Sequence, residues 1–341
     1  TLPALKKIMS LIEKGAVVSG PKPVMSPSLT DDDSGFQSLV NKLWVNEKSE
    51  NVYGKGKLFT GQKVADIMKT LQIAPDFEYK KPYDNTNILF VHRKMAKADI
   101  YWVNNRNNRQ ETPEVIFRIE GKIPEIWDPV KGTKEPVSYV SENGRTIVPL
   151  KLEPYDALFI VFRKNTEETS LKLPKPVEKS LITIKGPWEV SFQPGMGAPE
   201  KIIMDSLASW TENSDAGVKY FSGTGTYRIS LNADSTWFDG NPKLWLDMGS
   251  VKNLAEVTVN GKYLGIVWKR PFRVDITDAL KPGENALEIK VTNLWVNRLI
   301  GDQQPGAKKY TYTAMNFYQA DSPLLPSGLL GPVQILRITL K

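Results

Sequence analysis

From residue 87 to its end the chain is written in short runs of branched and aromatic residues separated by turn-forming pairs, a texture that excludes a predominantly helical fold. Asn143-Gly144 lies between apolar runs at 137–140 and 146–152, and Asn260-Gly261 lies between 255–259 and 264–267. Both residues of such a pair tolerate positive φ, which a tight hairpin demands at its two central positions. Residues 88–91, 100–103, 115–119 and 157–162 extend the pattern, so a small antiparallel β domain is expected over 78–165. Residues 166–180 are charged, contain proline and lack periodicity, which reads as a linker. Beyond them, 181–341 has the regular strand and turn spacing of a sandwich or jelly roll.

The first 77 residues differ. Leu5, Ile8, Met9 and Ile12 share a helical face, Gly15 offers a stop, and Ala16-Val17-Val18 reads as a buried strand. A second helix is expected over 36–44, a strand over 57–60, and a third helix from Val64, Ile67, Met68 and Leu71. Such alternation implies a parallel, doubly wound sheet, here only partly present, with 21–23, 26–28 and 54–56 as loops. The expected fold is therefore multi-domain and mainly β: a partial α/β unit over 1–77, the small antiparallel domain, and a C-terminal jelly roll.

Composition narrows the chemistry. The 24 glycines and 24 prolines suit a turn-rich globular chain. The net charge of +7 is spread among 38 acidic residues without a basic block, which argues against nucleic acid as a partner. With no cysteine and a single histidine, His92, disulfides, thiol catalysis, a zinc site and a histidine triad lack their residues. No run reaches the roughly 20 apolar residues of a membrane helix, and no cofactor or metal is expected. The chain opens at Thr1 rather than methionine, which reads as a processed protein or a fragment.

Three stretches, Phe221-Ser-Gly-Thr-Gly-Thr-Tyr-Arg228, Glu256-Val-Thr-Val-Asn-Gly-Lys-Tyr-Leu-Gly265 with Trp268, and Pro271-Phe-Arg-Val-Asp-Ile-Thr277, resemble the sugar-binding jelly roll of family 2 glycoside hydrolases. The segment Leu280-Lys-Pro-Gly-Glu-Asn-Ala-Leu-Glu-Ile-Lys-Val-Thr-Asn-Leu-Trp-Val-Asn-Arg-Leu-Ile-Gly-Asp302 resembles the C-terminal jelly roll of family 106 α-L-rhamnosidases. Phe90-Val-His-Arg93, Asp99-Ile-Tyr-Trp-Val-Asn104, Pro124-Glu-Ile-Trp-Asp-Pro129 and Gly15-Ala-Val-Val-Ser-Gly-Pro-Lys-Pro23 are similar to the regions preceding it. The resemblance implies a galactose-binding-like sandwich, a carbohydrate partner with rhamnose among its sugars, and an exported setting, periplasmic or extracellular. It also implies an N-terminal catalytic barrel in the parent protein as the other partner. The present chain is then expected to be non-catalytic.

Sugars present apolar C–H faces and rings of hydroxyls, so their sites combine an aromatic platform with amides, carboxylates or arginine. Trp295, Asn297, Arg298 and Asp302 supply all of these within eight residues, and Trp268 with Arg270 forms a second candidate. The competing structural reading puts Trp295 and Trp268 in the core and pairs Arg298 with Asp302. Trp237-Phe238 beside Asp239-Gly240 reads as a turn with exposed aromatics. Hydrolysis in this chain would need two carboxyl groups across one cleft, one protonated and one ionised. Asp99, Glu125, Asp128, Asp275, Glu288 and Asp302 are available, yet each also reads as a cap, turn or salt-bridge residue.

Overall fold

The computed structural model describes residues 1–46 and 50–340. The architecture is mainly β, as expected, with the chain divided between two compact units.

The first unit comprises Thr1–Lys80, Glu114–Lys122 and Val140–Val148. Helices Leu2–Glu13 and Asp33–Leu43 bury Leu5, Ile12, Phe36, Val40 and Leu43 together with Leu58. Asp32 caps the second helix, its carboxylate accepting from the backbone N–H groups of Ser34 and Gly35. Strand Val17–Ser19 runs parallel to Gly56–Phe59, but Glu50–Tyr53 pairs antiparallel with that same strand. The sheet is thus mixed: the parallel arrangement expected for 1–77 holds for its two expected strands, and the unexpected strand Glu50–Tyr53 adds an antiparallel neighbour. Gly54, at φ +57°, turns the chain in place, so 54–56 closes a hairpin between adjacent strands. In the same unit Asn143 and Gly144 adopt φ of 53° and 74° between strands Tyr139–Glu142 and Arg145–Pro149, as their chemistry requires.

The second unit comprises Lys81–Pro113, Ile123–Tyr139 and Pro149–Lys341. One five-stranded sheet contains Ile88–Lys94, Asp99–Asn105 and Ala157–Asn165, with Tyr101, Val103, Ile160 and Phe162 buried. A sandwich follows. Its six-stranded sheet is centred on the ten-residue pairing of Thr224–Ala233 with Gly283–Thr292. Its four-stranded sheet is built around Gln334–Leu340, which pairs with both Lys243–Asp247 and Pro176–Thr183. Alternate residues of each strand, such as Ala255, Val257 and Val259 on one and Leu287, Ile289 and Val291 on another, point into a core that also holds Trp188, Trp210, Phe221 and Tyr227.

Two local readings change. Pro176–Thr183 is an edge strand, so the end of the stretch read as linker is paired backbone; it carries the charges of Glu178 and Lys179, and its proline stands first. Trp237 and Phe238 form a short turn of helix over Ser235–Phe238 and pack against the sandwich core rather than standing exposed.

Candidate functional site

Strand Gly283–Thr292 leaves the six-stranded sheet through Asn293 and Leu294 and enters the short helix Val296–Gly301. Asn293 fixes the exit: its carboxamide oxygen accepts from Gly223 N (2.9 Å) and its Nδ2 donates to Phe221 O (2.8 Å). One helical turn places Arg298 and Asp302 four residues apart on one face, where Arg298 Nε donates to Asp302 Oδ1 at 2.9 Å. The two side chains are only 5% and 3% exposed. Asp302 Oδ2 accepts from Tyr310 N, Thr311 N and the Thr311 hydroxyl, and the guanidinium of Arg298 lies 5.0 Å from the Tyr310 ring centroid. Burial alone would raise the pKa of Asp302; the Thr311 hydroxyl, the two backbone N–H groups and the charge of Arg298 outweigh it and lower the pKa. Asn297 works similarly further along, donating to Leu325 O (2.7 Å) and accepting from Leu325 N (2.9 Å).

Asn297, Arg298 and Asp302 therefore spend their polar atoms on protein. They fasten the connection 302–327, which contains no helix or strand and returns the chain to strand Gly328–Gly331. Trp295 behaves differently: it is 58% exposed at the start of the same helix. Its neighbours Leu294 and Val296 line a 150 Å³ cavity with Lys252, Asn253 and Asn297.

Lys252 and Asn253 also line a larger cleft of 560 Å³, and there the second candidate pair is found. Trp268 and Arg270, both exposed, border it, together with Lys269 and the buried Phe272. Tyr155 and Asn108, from a different part of the chain, line it as well, beside apolar residues such as Val130 and Val251. Trp268 is 57% exposed and Tyr155 is 62% exposed, whereas Trp188 and Trp210 are wholly buried, so the core reading of Trp268 and of Trp295 gives way. Tyr155, Asn108, Lys252 and Asn253 escape sequence reasoning. A tyrosine in a Pro-Tyr-Asp turn and a lysine beside an asparagine are ordinary loop residues until their strands converge.

The carboxylates considered for hydrolysis are each held elsewhere. Asp99 faces His92 Nε2 at 3.2 Å, and the imidazole stacks on Tyr101 with ring centroids 4.0 Å apart. Asp128 accepts from Val130 N and Lys131 N, Asp275 from Thr277, and Glu288 from Arg228. Glu125 receives Arg163 Nε at 2.9 Å, Lys164 Nζ at 2.8 Å and Trp127 Nε1 at 3.2 Å. The Trp127 ring is itself flanked by Lys134 and Arg163. Burial opposes ionisation of Glu125, but these donors prevail and hold its pKa at about 2, the reverse of what a general acid requires. A carboxylate whose pKa is depressed on folding stabilises the fold above its unfolded value and loses that contribution as pH falls toward the folded one. Glu125→Gln is therefore expected to lower the melting temperature at neutral pH. The difference from the parent should shrink as pH falls from about 4.5 to about 2, as melts across that range would show.

Residues 1–141 match the family model of glycoside hydrolase family 106, alpha-L-rhamnosidase, and residues 200–321 match that of the glycosyl hydrolase 2 galactose-binding domain-like group. A rhamnosidase from Novosphingobium sp. PP1Y of known structure is 41% identical, with a TM-score of 0.89 over 99% of this chain and 32% of its own. A curated relative from Formosa agariphila, named "Putative beta-glucuronidase", is 40% identical over 178 residues, 45% of this chain and 15% of that protein. The chain thus spans less than a third of the rhamnosidase and a smaller share of the second relative. Its sequence is similar to that of glycoside hydrolases, with a stretch similar to their galactose-binding-like domain, and the family resemblance read from its motifs holds.

Proposed function

We propose, with the similarity to glycoside hydrolases as premise, that this chain is a non-catalytic part of an exported α-L-rhamnosidase-like enzyme, acting beside a catalytic domain and holding rhamnose-containing glycan. The observation that carries this reading is the cleft at Trp268: an exposed indole on a 560 Å³ concavity whose lining, among the described residues, contains amides and cations but no carboxylate. That combination binds a sugar face and its hydroxyls, and it offers no acid–base pair. Trp295, exposed between Leu294 and Val296, offers a second indole to a sugar face, while Asn297, Arg298 and Asp302 position the loop rather than touch sugar. Arg270 supplies a donor to the cleft.

A second observation supports the neighbouring domain. Along the connection 302–327, Tyr312, Met315 and Phe317 are 92%, 63% and 72% exposed and line one 180 Å³ recess. Long loops without secondary structure commonly serve function, and apolar side chains grouped on one commonly meet another protein surface. The boundaries of the three expected domains, 1–77, 78–165 and 181–341, remain part of this proposal.

The purified chain is expected to release no nitrophenol from p-nitrophenyl α-L-rhamnoside and to bind a rhamnose-containing pectin fragment. Trp268→Ala and Trp295→Ala should each weaken binding by roughly fivefold, on the scale of about 1 kcal/mol for an aromatic stacking contact. Turnover above the blank would refute the non-catalytic reading; binding unchanged in both variants would refute the site.

A further inference from the structure

We propose that the cleft at Trp268 selects anionic glycans, sugar rings bearing a carboxylate or a sulfate. This inference deepens the glycan-holding role above and rests on it.

The charge of the lining comes first. Among the described residues three cations, Lys252, Lys269 and Arg270, border the cleft and no acid does. Lys269 is neutralised, because its Nζ lies 2.5 Å from Asp156 Oδ1, whose side chain is 9% exposed. Among the described residues Lys252 and Arg270 have no acidic partner, so two positive charges border a concave space without compensation. Low-dielectric walls focus such a field, and a guanidinium matches a carboxylate or sulfate through paired N–H donors. A neutral sugar would need neither cation; an anionic one leaves neither unpaired.

The wall that carries Tyr155 is built at a cost. Glu153 to Asp156 form a turn closed by Asp156 N to Glu153 O at 3.0 Å, with Pro154 at its first corner and Tyr155 at its second. Tyr155 has φ +56°, a conformation that glycine or asparagine adopts far more cheaply. Surrounding contacts hold it there. Tyr155 N donates to Asn107 O, and Asp156 O accepts from Asn105 N and from Asn104 Nδ2. The result keeps a large ring 62% exposed at the cleft, and backbone strain sustained at a concave surface is a feature of working sites. The sugar face would rest on Tyr155 and Trp268 while its anion meets Lys252 and Arg270.

Calorimetric titration of the full chain tests this with three probes: a galacturonate trimer, the same trimer fully methyl-esterified, and a sulfated oligosaccharide of similar length. The esterified trimer keeps the ring and loses the charge. At least one anionic probe is expected to bind about tenfold or more tighter than the ester, with an affinity that falls as salt rises. Which anionic probe wins tells carboxylate from sulfate. Lys252→Gln with Arg270→Gln should abolish the preference, while Trp268→Ala should weaken all binding; circular dichroism of each variant verifies its fold. Equal binding of acid and ester overturns the charge selection and leaves the aromatic glycan site standing. A preference surviving in the double glutamine variant overturns the location. No binding by any of the three probes overturns the anionic selection, and the rhamnose-containing pectin fragment, titrated alongside, decides separately whether the glycan-holding reading falls with it.

Discussion

Asp302→Ala is expected to destabilise the second unit by about 3–5 kcal/mol, because it leaves Arg298 charged and buried without its partner. The same change removes the acceptor for Tyr310 N, Thr311 N and the Thr311 hydroxyl, so the start of the connection 302–327 loses its anchor. Urea denaturation followed by tryptophan fluorescence measures the loss. Arg298→Met combined with Asp302→Ala should recover part of it, since the pair is then replaced by apolar groups and no charge is stranded. A single-variant loss below about 1 kcal/mol would show that the pair does not hold the loop. The pH dependence has a definite sign. Folding lowers the pKa of Asp302, so its contribution is complete above the ordinary aspartate range and declines as pH falls through the depressed folded value. The parent should lose stability in acid through this group, and Asp302→Ala should not.

The fastening of that loop shows where sequence reading stops. Asn143-Gly144 and Asn260-Gly261 are legible because a two-residue turn is decided by its own φ angles, and both pairs are found at positive φ. Helices Leu2–Glu13 and Asp33–Leu43 are legible from the spacing of their buried residues. Strand Pro176–Thr183 is not, because its partner lies at the other end of the domain: Thr183 and Gln334 bond across 151 residues. Burial of aromatic residues is equally non-local. Trp188 and Trp210 fill the core, Trp268 and Trp295 do not, and Trp237 folds back onto the sandwich, although all five stand in similarly mixed surroundings in the sequence. The cleft at Trp268 combines residues 108, 155, 252 and 270, a set that only tertiary structure assembles. By contrast, Arg298 and Asp302 are legible as a pair from their four-residue spacing, and only the structure reveals that the pair is buried.

Gly328→Ala is expected to cost about 2–5 kcal/mol and to release the other end of the same connection. Gly328 has φ +93°, so any side chain there carries backbone strain of about 1–2 kcal/mol. Its environment adds a second cost, because a Cβ would stand 2.6 Å from Tyr227 Oη and 2.7 Å from Trp210 Nε1. Trp210 and Tyr227 are wholly buried, with ring planes 10° from parallel, so neither ring has space to yield, and overpacking of a dense core costs about 1–3 kcal/mol. Tyr227 Oη also accepts from Leu329 N at 3.0 Å, so displacing the ring would break the bond that seats strand Gly328–Gly331. The denaturation midpoint reports the stability, and limited proteolysis locates the change: cleavage should concentrate in 302–327 before the rest of the sandwich opens. Tyr227→Phe serves as the comparison, since it removes the acceptor without adding volume and should cost less than the alanine. If Gly328→Ala instead melts with the parent, the packing around Trp210 is looser than its burial implies. The connection is then held chiefly from its Asp302 end.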